Sequence, residues 1–295
     1  MKLGEITNNF FKENQAKLEQ NYPGINLNKI KCELYELLTP HFLDTHEFFY
    51  SPYVSIANHP INIFFLALSK GTPLEYISGK KYFYESEFLV SPDVLIPRNE
   101  TEILVEKAIE ELKMWYKKTD EVLKVCDIGT GSGCIPISIL RGFGKPLKVL
   151  ATDISNEALK IAQKNNFNLR YSYPVVSECR FKCMDLLEGS EDQFHLITSN
   201  PPYIKEESDE KLIHQQVFEY EPHLALFIKD KIYDDWFFKL FQDVHRSLYK
   251  EGVFIMEGHE HHLKKLEAIS HKLNWTNTEI INDYCDRNRF LILRK

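Results

Sequence analysis

No run of apolar residues in the 295-residue chain approaches the ~20 needed to cross a bilayer. The start, Met1-Lys2-Leu3-Gly4-Glu5, lacks the charged and then apolar layout of a secretion signal. Cysteine is sparse and unpatterned. Cys32, Cys126, Cys134, Cys179, Cys183 and Cys285 form no CxxC pair and no regular disulfide framework. Several lie in apolar, strand-like runs, where a small buried thiol is the usual role. Cys179 and Cys183 share a face of a short strand, but no second pair completes a zinc site. These absences point to a reducing, cytoplasmic setting. Basic charge is also in deficit: 36 Lys and Arg against 43 Asp and Glu leave a net charge of -7. That argues against a protein that wraps nucleic acid, whose affinity needs a basic surface. No repeat and no low-complexity segment is present.

What is present is ordinary globular material, 43% hydrophobic and 27% charged, in a length sufficient for two modest domains. Over residues 1–70 the apolar positions follow helical spacing: Phe10, Phe11 and Leu18, then Ile30, Leu34, Leu37 and Leu38. Pro23-Gly24 separates the first helix from the second. His59-Pro60 opens a third, apolar over 61–68, with proline in its first turn. Thr72-Pro73 begins a short helical turn that Ser78-Gly79 ends. Residues 82–90 and 94–97 then read as the two strands of a hairpin. Arg98-Asn99-Glu100-Thr101-Glu102 leads into a helix over 103–116. Asn99 is its expected N-cap, and Glu100 and Glu102 suit its first turn. Arg98 and Glu102 can instead line the mouth of a site. The expected organisation is a helical domain over 1–75, a linking hairpin over 76–98, and a larger domain over 99–295.

In that larger domain strands alternate with helices. Strands are expected at 122–128, 147–152, 180–184, 194–198, 252–257, 276–281 and 290–294. Helices begin near Cys134, at 155, at 233 and at 262. Such alternation implies an α/β fold with a parallel, doubly wound sheet. Ligands of such sheets bind outside the carboxyl ends of the strands. The first four strands end in Asp127 with Gly129-Thr130-Gly131-Ser132-Gly133, in Asp153, in Asp185, and in Asn200. A glycine loop opening a helix lets backbone N–H groups approach a ligand. Here it lacks the sixth-position glycine of the dinucleotide fingerprint, and no Walker lysine follows it. Asp153 can accept both hydroxyls of a ribose. Asp185 can accept an exocyclic amine while the backbone of Leu186 bonds the ring. Together they suit an adenosine carrying an amino-acid tail better than a phosphate.

The fourth strand runs into Asn200-Pro201-Pro202-Tyr203. Two prolines remove two donors, fix two φ angles and hold the preceding residues extended. The result is a stiff arm with an amide at its root and an aromatic ring at its tip. By itself it could be a Pro-rich turn. It could also hold a flat group with N–H bonds to donate. The stretch 205–230 beside it is long for a connection and is expected to order over a substrate. Gly258-His259-Glu260-His261-His262 lacks the His-Glu-x-x-His spacing, so no metal is expected.

Asp127-x-Gly129-x-Gly131-x-Gly133, Asp153 and Asp185 together resemble the S-adenosylmethionine site of Rossmann-like methyltransferases. Asn200-Pro201-Pro202-Tyr203 resembles the arm of those that methylate planar nitrogens, which include DNA amino-methyltransferases and protein glutamine methyltransferases. Thr72-Pro73-Leu74-Glu75-Tyr76-Ile77-Ser78-Gly79, Leu95-Ile96-Pro97-Arg98-Asn99-Glu100-Thr101-Glu102, Glu219-Tyr220-Glu221-Pro222-His223-Leu224-Ala225-Leu226 and Asp283-Tyr284 are similar to the peptide chain release factor glutamine N5-methyltransferases. Asn99 departs from that pattern, where proline is usual, and Cys285 to Arg289 lacks its glycine.

The resemblance implies a seven-stranded Rossmann-like methyltransferase sheet behind a helical, substrate-recognising N-terminal domain. It implies S-adenosylmethionine held by Gly129, Thr130, Gly131, Ser132, Gly133, Asp153, Asp185, Leu186 and Asn200. The substrate implied is the glutamine of a Gly-Gly-Gln motif in a release factor, held by Asn200, Pro201, Pro202 and Tyr203 with Arg98 and Glu102. The Asn200 side-chain oxygen and the Pro201 carbonyl would accept the two N–H bonds of the glutamine amide. Tyr203 would pack on its face, and no general base is required. The alternatives are a ribosomal-protein glutamine methyltransferase, a DNA amino-methyltransferase, and a cofactor-binding interaction protein without turnover.

Overall fold

The computed structural model describes residues 2–38, 60–119, 121–275 and 277–295. It divides into two compact units. One runs up to Lys80 and takes in His214–Tyr220; the other comprises Lys81–Ile213 and Glu221–Lys295. The first is helical, with α1 (Leu3–Asn21), α2 (Leu27–Leu38), α3 (Pro60–Lys70) and α4 (Leu74–Ser78). Ile30 and Leu34 lie one turn apart, as do Phe64 and Leu68, so each helix presents an apolar stripe. With Leu18 these four are fully buried, and Phe10, Phe11 and Leu37 pack around them. His59 and the Leu38 side chain lie outside the described residues. Gly79 closes α4 at φ 72°, a left-handed C-cap that disfavours any side chain. The short helix Gln215–Tyr220 belongs to this unit. Gln216 donates to the Gly71 carbonyl at 2.7 Å, and Tyr220 donates to that of Lys70 at 2.8 Å.

The hairpin differs from expectation. β1 (Lys80–Phe83) and β2 (Ser86–Leu89) pair with each other. The turn therefore falls inside the run read as one strand, and residues 94–97 form no strand. Tyr84 and Glu85 carry the turn at φ 43° and 58°. Neither residue type signals a left-handed turn, which normally calls for Asn or Gly.

The second unit holds α5 (Thr101–Tyr116), β3 (Leu123–Ile128), α6 (Cys134–Phe143), β4 (Leu147–Asp153), α7 (Asn156–Asn168), β5 (Glu178–Cys183) and β6 (Phe194–Ser199). After these come α8 (Tyr233–Ser247), β7 (Leu248–Glu257), α9 (Leu263–His271), β8 (Asn277–Asn282) and β9 (Asn288–Arg294). One seven-stranded sheet runs β8-β9-β7-β6-β3-β4-β5. It is mixed rather than wholly parallel, because β9 pairs antiparallel with both β7 and β8. A tight connection over 283–287, tied by Asp283, returns the chain alongside β8 with no crossover helix. β7 starts at Leu248, four residues earlier than the expected strand at 252. Thr276, expected as strand, lies outside the described residues.

Both faces of the central strands are covered, which explains why β3, β4, β6 and β7 are mostly buried while the edge strands β5 and β8 are not. Along β7, Val253 and Ile255 face a core shared with α5 and α6, while Phe254 and Met256 face α8 and α9. α5 starts at Thr101 without a side-chain cap. Asn99 is therefore not its cap; the carbonyls of Arg98, Asn99 and Glu100 receive the first helical N–H groups instead. Ser155 does cap α7, accepting from Ala158 N at 3.2 Å.

Strand order places the site. From β3 the chain adds β4 and β5 on one side, then crosses to β6 on the other. The crevice between the β3 and β6 ends is a topological switch point. Register makes the ends flush: Ile128 lies opposite both Thr152 and Ser199, and Asp153 opposite Cys183.

Candidate active site

A cavity of about 800 Å³ opens at these carboxyl ends. The β3 end supplies Gly129, Thr130, Gly131 and Ser132 to its wall. β4 supplies Asp153, β5 supplies Met184, Asp185 and Leu186, and β6 supplies Asn200, Pro201 and Pro202. Four segments far apart in sequence thus line one volume.

The glycine loop is bound to its neighbour strand. Thr130 N donates to the Thr152 carbonyl at 2.8 Å, and Gly131 N donates to Asp153 Oδ2 at 2.8 Å. Gly129, Gly131 and Gly133 all have positive φ. Gly133 stands apart from the cavity lining. A Cβ there would come within 3.1 Å of both Ala162 and Ile137, so its glycine lets α6 and α7 approach. Asp153 also accepts from Ser155 N at 2.9 Å. Burial pushes its carboxyl up, and the backbone N–H groups of Ser155 and Gly131 pull against that. Leu186 sits at φ 50°, a strained conformation for leucine, which turns the backbone of 185–187 at the cavity wall. Asp185 is partly engaged: Lys239 Nζ reaches its Oδ2 at 2.8 Å.

Asp127, beneath the loop, is fully buried. Thr198 donates to its Oδ1 at 2.7 Å, while Oδ2 has no hydrogen-bond partner among the described residues. Burial pushes its carboxyl up to about 7, and the Thr198 hydroxyl pulls against that.

The arm after β6 is anchored at both ends. Ser199 Oγ donates to the Ile128 carbonyl at 2.8 Å, and Tyr233 OH donates to the Tyr203 carbonyl at 3.0 Å. Asn200 Nδ2 donates to Thr101 Oγ1 at 3.3 Å. Asn200 Oδ1 is buried with no hydrogen-bond partner among the described residues. Such a buried acceptor is costly unless something completes it. Tyr203 is not in the cavity lining. Its hydroxyl donates to Glu257 Oε1 at 3.1 Å, and its ring packs on the core beside α8.

Arg98 and Glu102 also stand outside the lining. Arg98 pairs with Glu221 at 2.5 Å, and the other Glu221 oxygen accepts from Ile96 N at 3.1 Å. This clamp holds the 96–98 backbone to the stretch that leads into Pro222, His223 and Leu224, which line the cavity. Glu102 accepts from Tyr84 N at 3.0 Å and so supports the β1–β2 turn. The 205–230 stretch is no bare loop. The pairs Ile204–Lys205 and Phe227–Ile228 join as a small parallel sheet, and Glu206, residues 222–225 and residues 227–229 line the cavity. His262 pairs with Asp209 at 2.7 Å rather than with its neighbouring histidines. Sequence reasoning missed Thr101, Glu221 and Glu257. Each is a buried polar residue joined to the site through a partner at least 99 positions away, which no local spacing reveals.

An α/β sheet with a glycine loop, two carboxylates at strand ends and Asn200, Pro201 and Pro202 on one cavity has the architecture of the Rossmann-like methyltransferases. The Methyltransferase small domain family model matches residues 102–225. The crystal structure of the hMettl16 catalytic domain in complex with a 3'UTR hairpin shares the fold, with a TM-score of 0.52 and 14% identity over 70% of this chain and 74% of that one. The release factor glutamine methyltransferase of Flavobacterium psychrophilum is 36% identical over 227 residues, 77% of this chain and 76% of that protein. That of Koribacter versatilis is 37% identical over 227 residues, 76% and 75% of the two chains. The chain belongs to the release factor glutamine methyltransferase family.

Proposed function

We propose that this enzyme transfers a methyl group from S-adenosylmethionine to the side-chain amide nitrogen of a release factor glutamine, within a Gly-Gly-Gln motif. The observation that carries the reading is the buried Oδ1 of Asn200, without a hydrogen-bond partner among the described residues, beside the cavity formed by the glycine loop, Asp153 and Leu186. The cofactor fits the residues present. Gly129 and Gly131 leave open space where a side chain would stand. Asp153 offers carboxylate lone pairs to a ribose, and Asp185 with the Leu186 backbone suits the adenine edge. The cofactor supplies an electrophilic methyl group.

The chain supplies orientation. A carboxamide nitrogen is a weak nucleophile, so holding it in line counts for most; proximity in well-aligned systems contributes about 7 kcal/mol or more. Asn200 Oδ1 and the Pro201 carbonyl accept its two N–H bonds, and two neutral acceptors ease the positive charge that develops on nitrogen. Tyr203 braces the arm from behind. The proton leaves after transfer, so no side chain need act as base. The helical unit recognises the release factor in this cytoplasmic reaction. The six cysteines are free, and among the described residues no helix is long and apolar enough to cross a membrane.

Incubation with a labelled methyl donor should label a release factor, and should label neither its Gln→Ala variant nor DNA. Asn200→Ala should lower kcat at least about 100-fold with little change in donor affinity. Asp153→Ala should act chiefly on donor affinity. Labelled DNA, or equal losses of both parameters in Asn200→Ala, would overturn the proposal.

A further inference from the structure

The side-chain amide of Asn200 is nearly symmetric in outline and opposite in chemistry at its two ends. To hold an N–H₂ group it must present oxygen. Nothing within Asn-Pro-Pro-Tyr sets that choice. The surrounding network does. Thr101 Oγ1 donates to Glu257 Oε2 at 2.6 Å, and Asn200 Nδ2 lies 3.3 Å from the same Oγ1. Glu257 ends β7, Thr101 begins α5, and each is 1% exposed.

An ionised carboxylate only accepts hydrogen bonds, and a threonine hydroxyl has one hydrogen to give. Once Thr101 gives it to Glu257, its oxygen can only accept. The Asn200 end that faces Thr101 must then be the N–H₂ group, and Oδ1 is turned away from it. Glu257 also receives the Tyr203 hydroxyl on its other oxygen. One carboxylate therefore governs both ends of the arm. Burial pushes its carboxyl up, and the Thr101 hydroxyl, the Arg289 charge and the Tyr203 hydroxyl pull against that.

We propose that Glu257, acting through Thr101, is the positioning residue that sets the polarity of the Asn200 amide, so that its oxygen meets the substrate N–H₂. This rests on the methyl-transfer reading of the cavity. A neutral carboxamide at 257 can donate to Thr101. The Thr101 hydrogen can then turn to Asn200 Oδ1, and the amide can rotate to present N–H₂ against N–H₂.

The test compares Glu257→Gln, Thr101→Val and Thr101→Ser with the wild type, in the full chain. It measures kcat and KM for a release factor, donor affinity by calorimetry, and the Asn200 side-chain resonances by 15N NMR. Glu257→Gln and Thr101→Val should each lower kcat about 10- to 100-fold, as when a reacting group is misplaced. Donor affinity should stay within about twofold. The double variant should be no slower than the slower single variant, because both break one relay. Thr101→Ser, which keeps the hydroxyl, should rescue most of the rate. The Asn200 N–H₂ signals should shift in the first two variants and hold in Thr101→Ser. Wild-type kcat with unmoved signals in Thr101→Val would overturn the proposal, as would a parallel loss of donor binding. If Glu257→Gln does not fold, Thr101→Val carries the test. A wild type inactive on release factor would remove the proposed function, and the Asn200 signals would still decide the amide orientation.

Discussion

Asp127 is a single residue whose burial costs stability. Its carboxyl is buried under the glycine loop with one oxygen unpartnered among the described residues. It titrates at about 7 in the fold, against an ordinary value of 3.8. Between those values the folded chain holds a proton that the unfolded chain has lost. The stability this gives is fully present below about pH 4 and is lost as pH rises through 7. Asp127→Asn keeps an oxygen for Thr198 and removes the charge. It should raise the melting temperature at pH 8 and change little at pH 4, with a ceiling of about 4 kcal/mol from roughly 1.4 kcal/mol per pH unit. Thermal melts of both proteins across that range check this; an equal difference at both ends would contradict it.

At the scale of elements, the β1–β2 turn is the place where backbone strain stands out. Tyr84 and Glu85 both adopt left-handed φ, and Glu102 and Arg141 hold the turn from outside through the Tyr84 backbone. A side chain in that region costs about 1–2 kcal/mol. Glu85→Gly relieves it and gives back part through unfolded-chain entropy. The expected net gain is a few tenths to about 1 kcal/mol, read as a higher urea midpoint with unchanged slope. A lower midpoint would show that the Glu85 side chain supports the turn. The position of this turn is not written in its own residues. The residues that force the turn are on α5 and α6, not in the turn.

Over the whole molecule, the cavity is built by one of the two units alone. Every cavity-lining residue lies between Pro92 and Trp236 within the sheet unit, and the helical unit has a core of its own. Leu34 is fully buried in that second core. Leu34→Ala should cost about 2–5 kcal/mol locally. It should weaken methylation of a release factor while donor affinity, measured by calorimetry, stays unchanged. A matching loss of donor affinity would show that the two units do not act separately.

Much of this protein was legible in its sequence because strand-end chemistry is local. The glycine loop, Asp153, Asp185, Leu186 and Asn200 each follow directly from a recognisable strand, and a doubly wound sheet brings strand ends together. The Pro-Pro step defines the arm by covalent geometry alone. Only the tertiary structure decided the rest. It reversed β9, turned Tyr203 away from the cavity, and gave Arg98 to Glu221 and Glu102 to Tyr84. It also brought Glu257 to Thr101, 156 positions away, and through it to Asn200. A buried carboxylate is satisfied by whichever donors the packing delivers, so its partners are a property of the fold and not of spacing along the chain.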